Sequence, residues 1–293
     1  MSDGKKRSPL RLFTTIRARL LLLVAFCLLP AFGISFFDAW GESNRQIERV
    51  REELRLEARQ SASRMDREIN AAALMLRALA QIPEIRELKA PACSHLLAGL
   101  VGPLPRYTNA IVTRPDGDLV CSATPFQGRV KYAGQLFQRA LASPEVVVGM
   151  PVSGRITGKA SLPTSYAIRD DSQWVIAVVS IALDLEWYAR VESSRWTYPG
   201  SAMVLWDRQA RVVFRWPDPE QWIDKPFGDS PVGKTILAEA SGAFRARGVD
   251  GIDRVLGFAR IEETGDLGLK LNVSVLSFPR NFVFQEVGVY NLS

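Results

Sequence analysis

The sequence predicts an α+β protein: one long N-terminal helix that first crosses a membrane and then rises as a stalk, followed by two small antiparallel-sheet modules in tandem. Three observations predict it. Residues 20–37 (LLLLVAFCLLPAFGISFF) run for eighteen residues without a charge between Arg19 and Asp38, the length of a bilayer span. From about Ser43 to Leu79, apolar or small residues then recur at steps of three and four, the period of a helix face. Beyond them the order strand, strand, helix, three strands occurs twice, offset by roughly 90 residues, as two copies of one sheet module would be.

The ends of the span set its direction. Lys5, Lys6, Arg7, Arg11, Arg17 and Arg19 stand ahead of it against Asp3 alone, and a short basic flank of this kind stays cytoplasmic. Residues 1–19 are therefore a cytoplasmic basic tail, 20–37 a transmembrane helix, and the rest faces outward. A cleavable signal is the alternative, but it has a shorter apolar region and a small-residue cleavage site, and Ser35-Phe36-Phe37-Asp38-Ala39-Trp40 offers none. Pro30 is tolerated inside a membrane helix. The same tail disposes of a nucleic-acid reading: it holds five of the six net positive charges, which leaves no basic domain, and attraction to anionic lipid accounts for it.

Residues 38–82 form the stalk helix. Its apolar stripe is Ile47, Val50, Leu54, Ala58, Ala62, Met65, Ile69, Ala72, Leu76 and Leu79, with charges on the other faces of the first half. Such a narrow seam on a solvated helix predicts pairing with another copy, hence a homodimer. The second half, Ala71 to Leu76, is apolar almost all round and is expected to pack against a globular body. Pro83 ends the pattern, a short helix follows at 93–101, and Pro103 and Pro105 close it. Residues 109–123 read as a hairpin turning through Pro115-Asp116-Gly117. A helix at 134–142 and strands at 146–152, 165–168 and 174–183 complete the first module, assigned to 83–192. The second, 193–280, has a hairpin at 201–215 whose turn, Asp207-Arg208-Gln209-Ala210, has lost the glycine, then a helix at 232–240 and strands at 242–247, 254–261 and 269–277. Residues 281–293, apolar at Phe282, Val283, Phe284, Val287, Val289 and Tyr290, read as the start of a return helix toward the membrane.

With 47% hydrophobic residues the outer chain has material for real cores. Of three cysteines, Cys27 lies in the span, so Cys93 and Cys121 are the outer pair. In an oxidising compartment a disulfide between them is expected, contributing roughly 3.5 kcal/mol by chain entropy. His95 is the only histidine; it is read as a surface or helix-end residue, since one imidazole makes neither a usual zinc nor a copper site. No G-x-S-x-G or H-E-x-x-H occurs, and Asp116, Asp118, Asp170 and Asp171 sit where turns are predicted. The expectation is a non-enzyme without cofactor or metal.

In their order, the stalk helix, the Asp116-Gly117 hairpin ending in Cys121-Ser122, the segment Gly154-Arg155-Ile156-Thr157-Gly158-Lys159 and the run from Val175 to Leu185 resemble the double Cache sensor region. That region consists of two PAS-like modules on a long helix, between two membrane spans of bacterial histidine kinases, diguanylate cyclases and chemoreceptors. The resemblance covers about residues 43–285. It implies location at the bacterial inner membrane with most of the chain periplasmic, a membrane-distal first module that holds a small ligand, and a membrane-proximal second module that transmits. The residue set of the amino-acid-binding members does not map cleanly onto this chain, so the ligand class stays open. Candidate ligand-binding residues are Tyr132, Arg155, Lys159 and Tyr166: the two cations to meet a carboxylate or phosphate, the two tyrosines to supply apolar faces with a hydroxyl tip. The plainer reading makes them loop charges and core tyrosines. Functionally the chain reads as a ligand-sensing region working by population shift through paired helices. The alternative is a membrane-tethered adaptor that binds a protein through an apolar patch, with Trp196, Trp206, Trp216 and Trp222 as its candidates, unless these are core.

Overall fold

The computed structural model describes the backbone of residues 16–195, 201–217, 228–247, 253–262 and 272–279, with side chains described outside 16–47, 253 and 272–279. The basic tail, the side chains of the span, Trp196, Trp222 and the return helix therefore lie outside the described residues. The chain divides into two compact units, residues 1–50 and 51–293. Helix α1 runs Ile16–Leu79, so the backbone of the apolar run is helical. Among the described residues no helix is long and apolar enough to cross a membrane.

From residue 51 onward the stripe on α1 is buried as its spacing predicts: Leu54, Ala58, Ala62, Met65, Ile69, Ala72, Leu76 and Leu79 are all 3% exposed or less. What buries it differs from expectation. The chain's own sheets cover the stripe, so from Leu54 onward it is not a seam for a second copy. The segment from Ala71 to Leu76 packs as expected through Ala72 and Leu76, while Leu74 on its other face is 69% exposed.

Two short helices, α2 (Pro83–Arg86) and α3 (Ala90–Leu100), lead into the first sheet. Its strands are β1 (Tyr107–Thr113), β2 (Leu119–Ser122), β3 (Val147–Val148), β4 (Val152–Ser153), β5 (Ala160–Arg169) and β6 (Val175–Asp184), with α4 (Gln135–Ala142) between β2 and β3. The strand order is β2-β1-β6-β5-β3, with β4 also paired to β5, and every pairing is antiparallel. Gly117, at φ 88°, makes the predicted hairpin turn. Cys93 on α3 is bridged to Cys121 on β2, with Cα atoms 5.9 Å apart.

Two departures come from one proline. The strand expected at 165–168 starts at Ala160, and the one expected at 146–152 is split into β3 and β4. Pro163 has no N–H for a ladder, so it sits at the gap: β3 pairs with Thr164 and Ser165, β4 with Ala160 and Ser161. Gly149, inside the gap, donates its N–H to the Pro163 carbonyl at 2.7 Å.

An unanticipated helix, α5 (Leu185–Ser193), follows, capped by Asp184, whose carboxylate accepts the Trp187 N–H at 2.8 Å. The second sheet comprises β7 (Met203–Trp206), β8 (Val212–Trp216), β9 (Ser241–Arg247), β10 (Asp253–Arg260) and β11 (Asn272–Pro279), with α6 (Pro231–Ala238) between β8 and β9. Its order, β8-β7-β11-β10-β9, repeats that of the first sheet. Ala210 takes the positive φ of the glycine-less turn, at 53°. The buried Asp207 holds it there by accepting the N–H groups of Gln209 and Arg211.

Helix α1 meets both sheets. A Cβ on Gly257 of β10 would lie 2.3 Å from the Leu54 carbonyl oxygen, so glycine permits the crossing. Further along, the Tyr188 hydroxyl of α5 donates to the Ser61 carbonyl at 2.8 Å, and Arg77 lies 5.7 Å over the Tyr166 ring of β5. Of the tryptophans weighed as a surface patch, Trp206 is 2% exposed within the second core and Trp216 is half-buried.

Candidate ligand-binding site

A cavity of about 650 Å³ lies on the face of the first sheet opposite α1, a volume typical of small-molecule sites. Side chains alternate across a sheet, and on this face three adjacent strands present small or polar groups. In register, Ser165 of β5 pairs with Ser180 of β6, and Ser180 with Ile111 of β1; Pro163 pairs with Ala182, and Ala182 with Asn109. The Ser165 and Ser180 hydroxyls are 2.7 Å apart, those of Thr108 and Ser161 2.9 Å. Asn109 donates to Ser122 at 2.9 Å and accepts the Thr124 N–H at 3.0 Å. The floor is thus low, because these residues are short, and largely satisfied. In the second sheet the equivalent space is filled by Trp206, Leu256 and Phe258.

The roof is α4 and the segment around β4. Phe137 and Ala140 of α4 pack on Val147 and Val178, which seats the helix at one end and leaves Gln135, Leu136 and Arg139 over the cavity. Gly149 allows the close approach, since a Cβ there would come within 2.9 Å of both Leu136 and Pro163. Arg155 reaches across from the segment after β4: its Nη1 donates to the Lys131 carbonyl at 2.8 Å, and its guanidinium lies 5.5 Å over the Tyr132 ring. Burial pushes the Tyr132 hydroxyl above its ordinary pKa, against the opposing pull of Arg155. Arg208, in the turn between β7 and β8, also lines the cavity.

Of the four candidate residues, Tyr132 and Arg155 line the cavity and touch each other. Lys159 does not line it; its ammonium lies 3.4 Å from Asp184 at the cap of α5. Tyr166 is one residue out of phase with Ser161, Pro163 and Ser165, so it points through the sheet toward Arg77 of α1. Sequence reasoning missed Gln135, Arg139, Arg208 and the serine floor. A run of Ser and Ala at alternate positions of otherwise Val- and Ile-rich strands was the available signal for the floor.

No protein-family model and no curated protein matches the chain. Solved structures do. The extracellular domain of rpHK1S-Z16, assigned as a histidine kinase, aligns with a TM-score of 0.64 at 15% identity, covering 76% of this chain and 92% of that one. The periplasmic sensory domain of the Campylobacter jejuni chemoreceptor Tlp1 gives 0.63 at 14%, over 82% and 98%. The ligand-binding domain of the Pseudomonas aeruginosa PAO1 amino acid chemoreceptor PctB, in complex with L-Arg, gives 0.61 at 16%, over 81% and 98%. The chain is similar in fold to these sensory and ligand-binding domains.

Proposed function

We propose that this chain is the extracytoplasmic ligand-sensing region of a bacterial signalling protein, binding a small molecule between the first sheet and α4. The observation that carries this reading is the cavity itself, about 650 Å³ over a floor of short polar side chains, in a fold shared with sensory domains. Residues 20–37 anchor the chain in the inner membrane with the basic tail inside. The first sheet, within residues 83–192, is the membrane-distal module, and the second, within 193–280, the proximal one. Tyr132 and Arg155 contact the ligand. Binding favours one packing of α4 and the segment around β4, and α1, which contacts both sheets, carries the difference toward the membrane. Since the stripe from Leu54 onward is covered internally, pairing of copies falls to the part of α1 before Leu54, where Ile47 and Val50 continue the stripe.

The test is thermal unfolding of the full chain in lipid nanodiscs against carboxylates, amino acids, purines, phosphates and neutral sugars. A ligand at 100 times its dissociation constant stabilises by about 2.7 kcal/mol, an upward shift of several degrees, and Arg155→Ala is expected to cut the shift to about half or less. No shift from any class would leave the cavity without an occupant and turn the reading toward a protein partner.

A further inference from the structure

Resting on the sensory reading of the cavity, we infer that its occupant is a small anion that carries no ammonium group, either a dicarboxylate or a phosphate monoester. The charged side chains at the cavity are three guanidiniums, Arg139, Arg155 and Arg208, and neither Asp nor Glu lines it. Among the described residues, none of the three is held in an ion pair. Arg155 donates to the Lys131 carbonyl, and Arg139 donates to the Val148 carbonyl at 3.2 Å while its Nε is buried without a partner. Two carboxylates of the first sheet are engaged elsewhere: Asp184 with Trp187 N–H and Lys159, Asp118 with Arg129 and Lys131.

An α-amino acid brings a carboxylate and an ammonium together. Its carboxylate suits the arginines, but its ammonium would leave water to meet only like charge and neutral hydroxyls and amides, with no carboxylate to balance it, which is the costly arrangement. A dianion meets the reverse condition, since planar guanidinium forks match carboxylate and phosphate oxygens in geometry as well as charge. Helix α4 adds to the same potential: it opens on the cavity at Gly134 and Gln135, and Gly134 brings no side-chain cap to its first N–H groups.

Arg208 gives the inference its second consequence. It stands on the turn of the second sheet that Asp207 holds, so an anion seated against both Arg155 and Arg208 ties the two sheets together.

Calorimetric titration of the full chain in nanodiscs tests this with pairs that differ chiefly by an amine: succinate against aspartate, glutarate against glutamate, ethyl phosphate against phosphoethanolamine. The amine-free member of at least one pair is expected to bind ten times tighter or more, and the responding pair tells carboxylate from phosphate. Arg155→Gln and Arg208→Gln are each expected to weaken that binding about tenfold, the loss of one charge-assisted contact. Both side chains are exposed, so the variants keep the fold, which their unchanged unfolding midpoints verify. Equal or tighter binding of the amines, or full affinity in both variants, overturns the charge assignment and leaves the cavity a ligand site. Failure of every pair also overturns it. The sensory reading then stands only if a purine or neutral sugar protects the chain in the thermal screen, and falls if none does.

Discussion

Replacing Arg64 with methionine is expected to destabilise the chain more than replacing Glu192 with glutamine, although the two residues form one ion pair. Glu192 lies on α5 with its side chain 2% exposed, Arg64 on α1 at 17%. The Glu192 carboxylate accepts Arg64 Nε at 2.8 and 3.1 Å and Nη2 at 2.7 Å. Arg64 has a second partner, Glu57, 2.9 Å from Nη2, whereas among the described residues Glu192 pairs with Arg64 alone. Without Arg64, a carboxylate is left where water cannot replace the guanidinium, and breaking a buried pair in this way costs about 3–5 kcal/mol. Without the Glu192 charge, Arg64 keeps Glu57 and some water, so the loss is that of charge-assisted hydrogen bonds, about 1.5–3 kcal/mol. In thermal unfolding these translate to midpoint drops on the order of 10 °C and roughly half that. The double variant Arg64→Met with Glu192→Leu should recover part of the loss, because no orphan charge remains. A Glu192→Gln loss equal to or larger than that of Arg64→Met would refute the reasoning, as would a double variant no better than Arg64→Met alone.

Cys121→Ser, or reduction of the bridge to Cys93, is expected to cost about 3.5 kcal/mol for a closure of 28 residues; coincident unfolding scans with and without reductant would show that the bridge contributes nothing. Burial pushes the Tyr188 hydroxyl well above its ordinary pKa of 10.0. A group with a raised folded pKa stabilises fully below pH about 10 and loses that contribution as pH rises beyond it. Tyr188→Phe should therefore cost about 1 kcal/mol at pH 7 and flatten the alkaline decline in urea titrations; an unchanged decline argues against the assignment. Gly117→Ala combines a φ of 88° with a Cβ placed 2.0 Å from the Tyr132 carbonyl oxygen, so it should cost roughly 2 kcal/mol and displace Tyr132, read as lower stability together with weaker binding. Ala182→Leu fills the cavity floor and is expected to remove small-molecule binding with little change in midpoint, which binding and melting on the same sample would check.

Much of this architecture is local in origin and was legible in the sequence. The helix stripe from Leu54 to Leu79 is written in steps of three and four, the first hairpin in Pro115-Asp116-Gly117, and the repeated strand order in the spacing of Val- and Ile-rich runs. Helix α5 was not, because its start depends on the Asp184 side chain turning back to the Trp187 N–H in a segment that reads as the end of a strand. The start of β5 at Ala160 was not legible either: Pro163 cannot donate to a ladder, yet the gap between β3 and β4 asks no donor of it.

What the sequence determined by itself is which face of each element is apolar, since periodicity is a property of neighbouring residues. What lies against that face is a long-range fact. The stripe on α1 called for a partner, and only the tertiary structure made that partner the chain's own sheets, because burial of apolar surface has no direction and no preference between a second copy and a distant segment. Tyr166 and Ser165 differ by one position, and only the pairing of β5 with β6 decides which faces the cavity. Lys159 is taken by Asp184 and Arg208 comes from the other sheet, so the composition of the site was set by contacts between residues far apart in the chain, which no local pattern encodes.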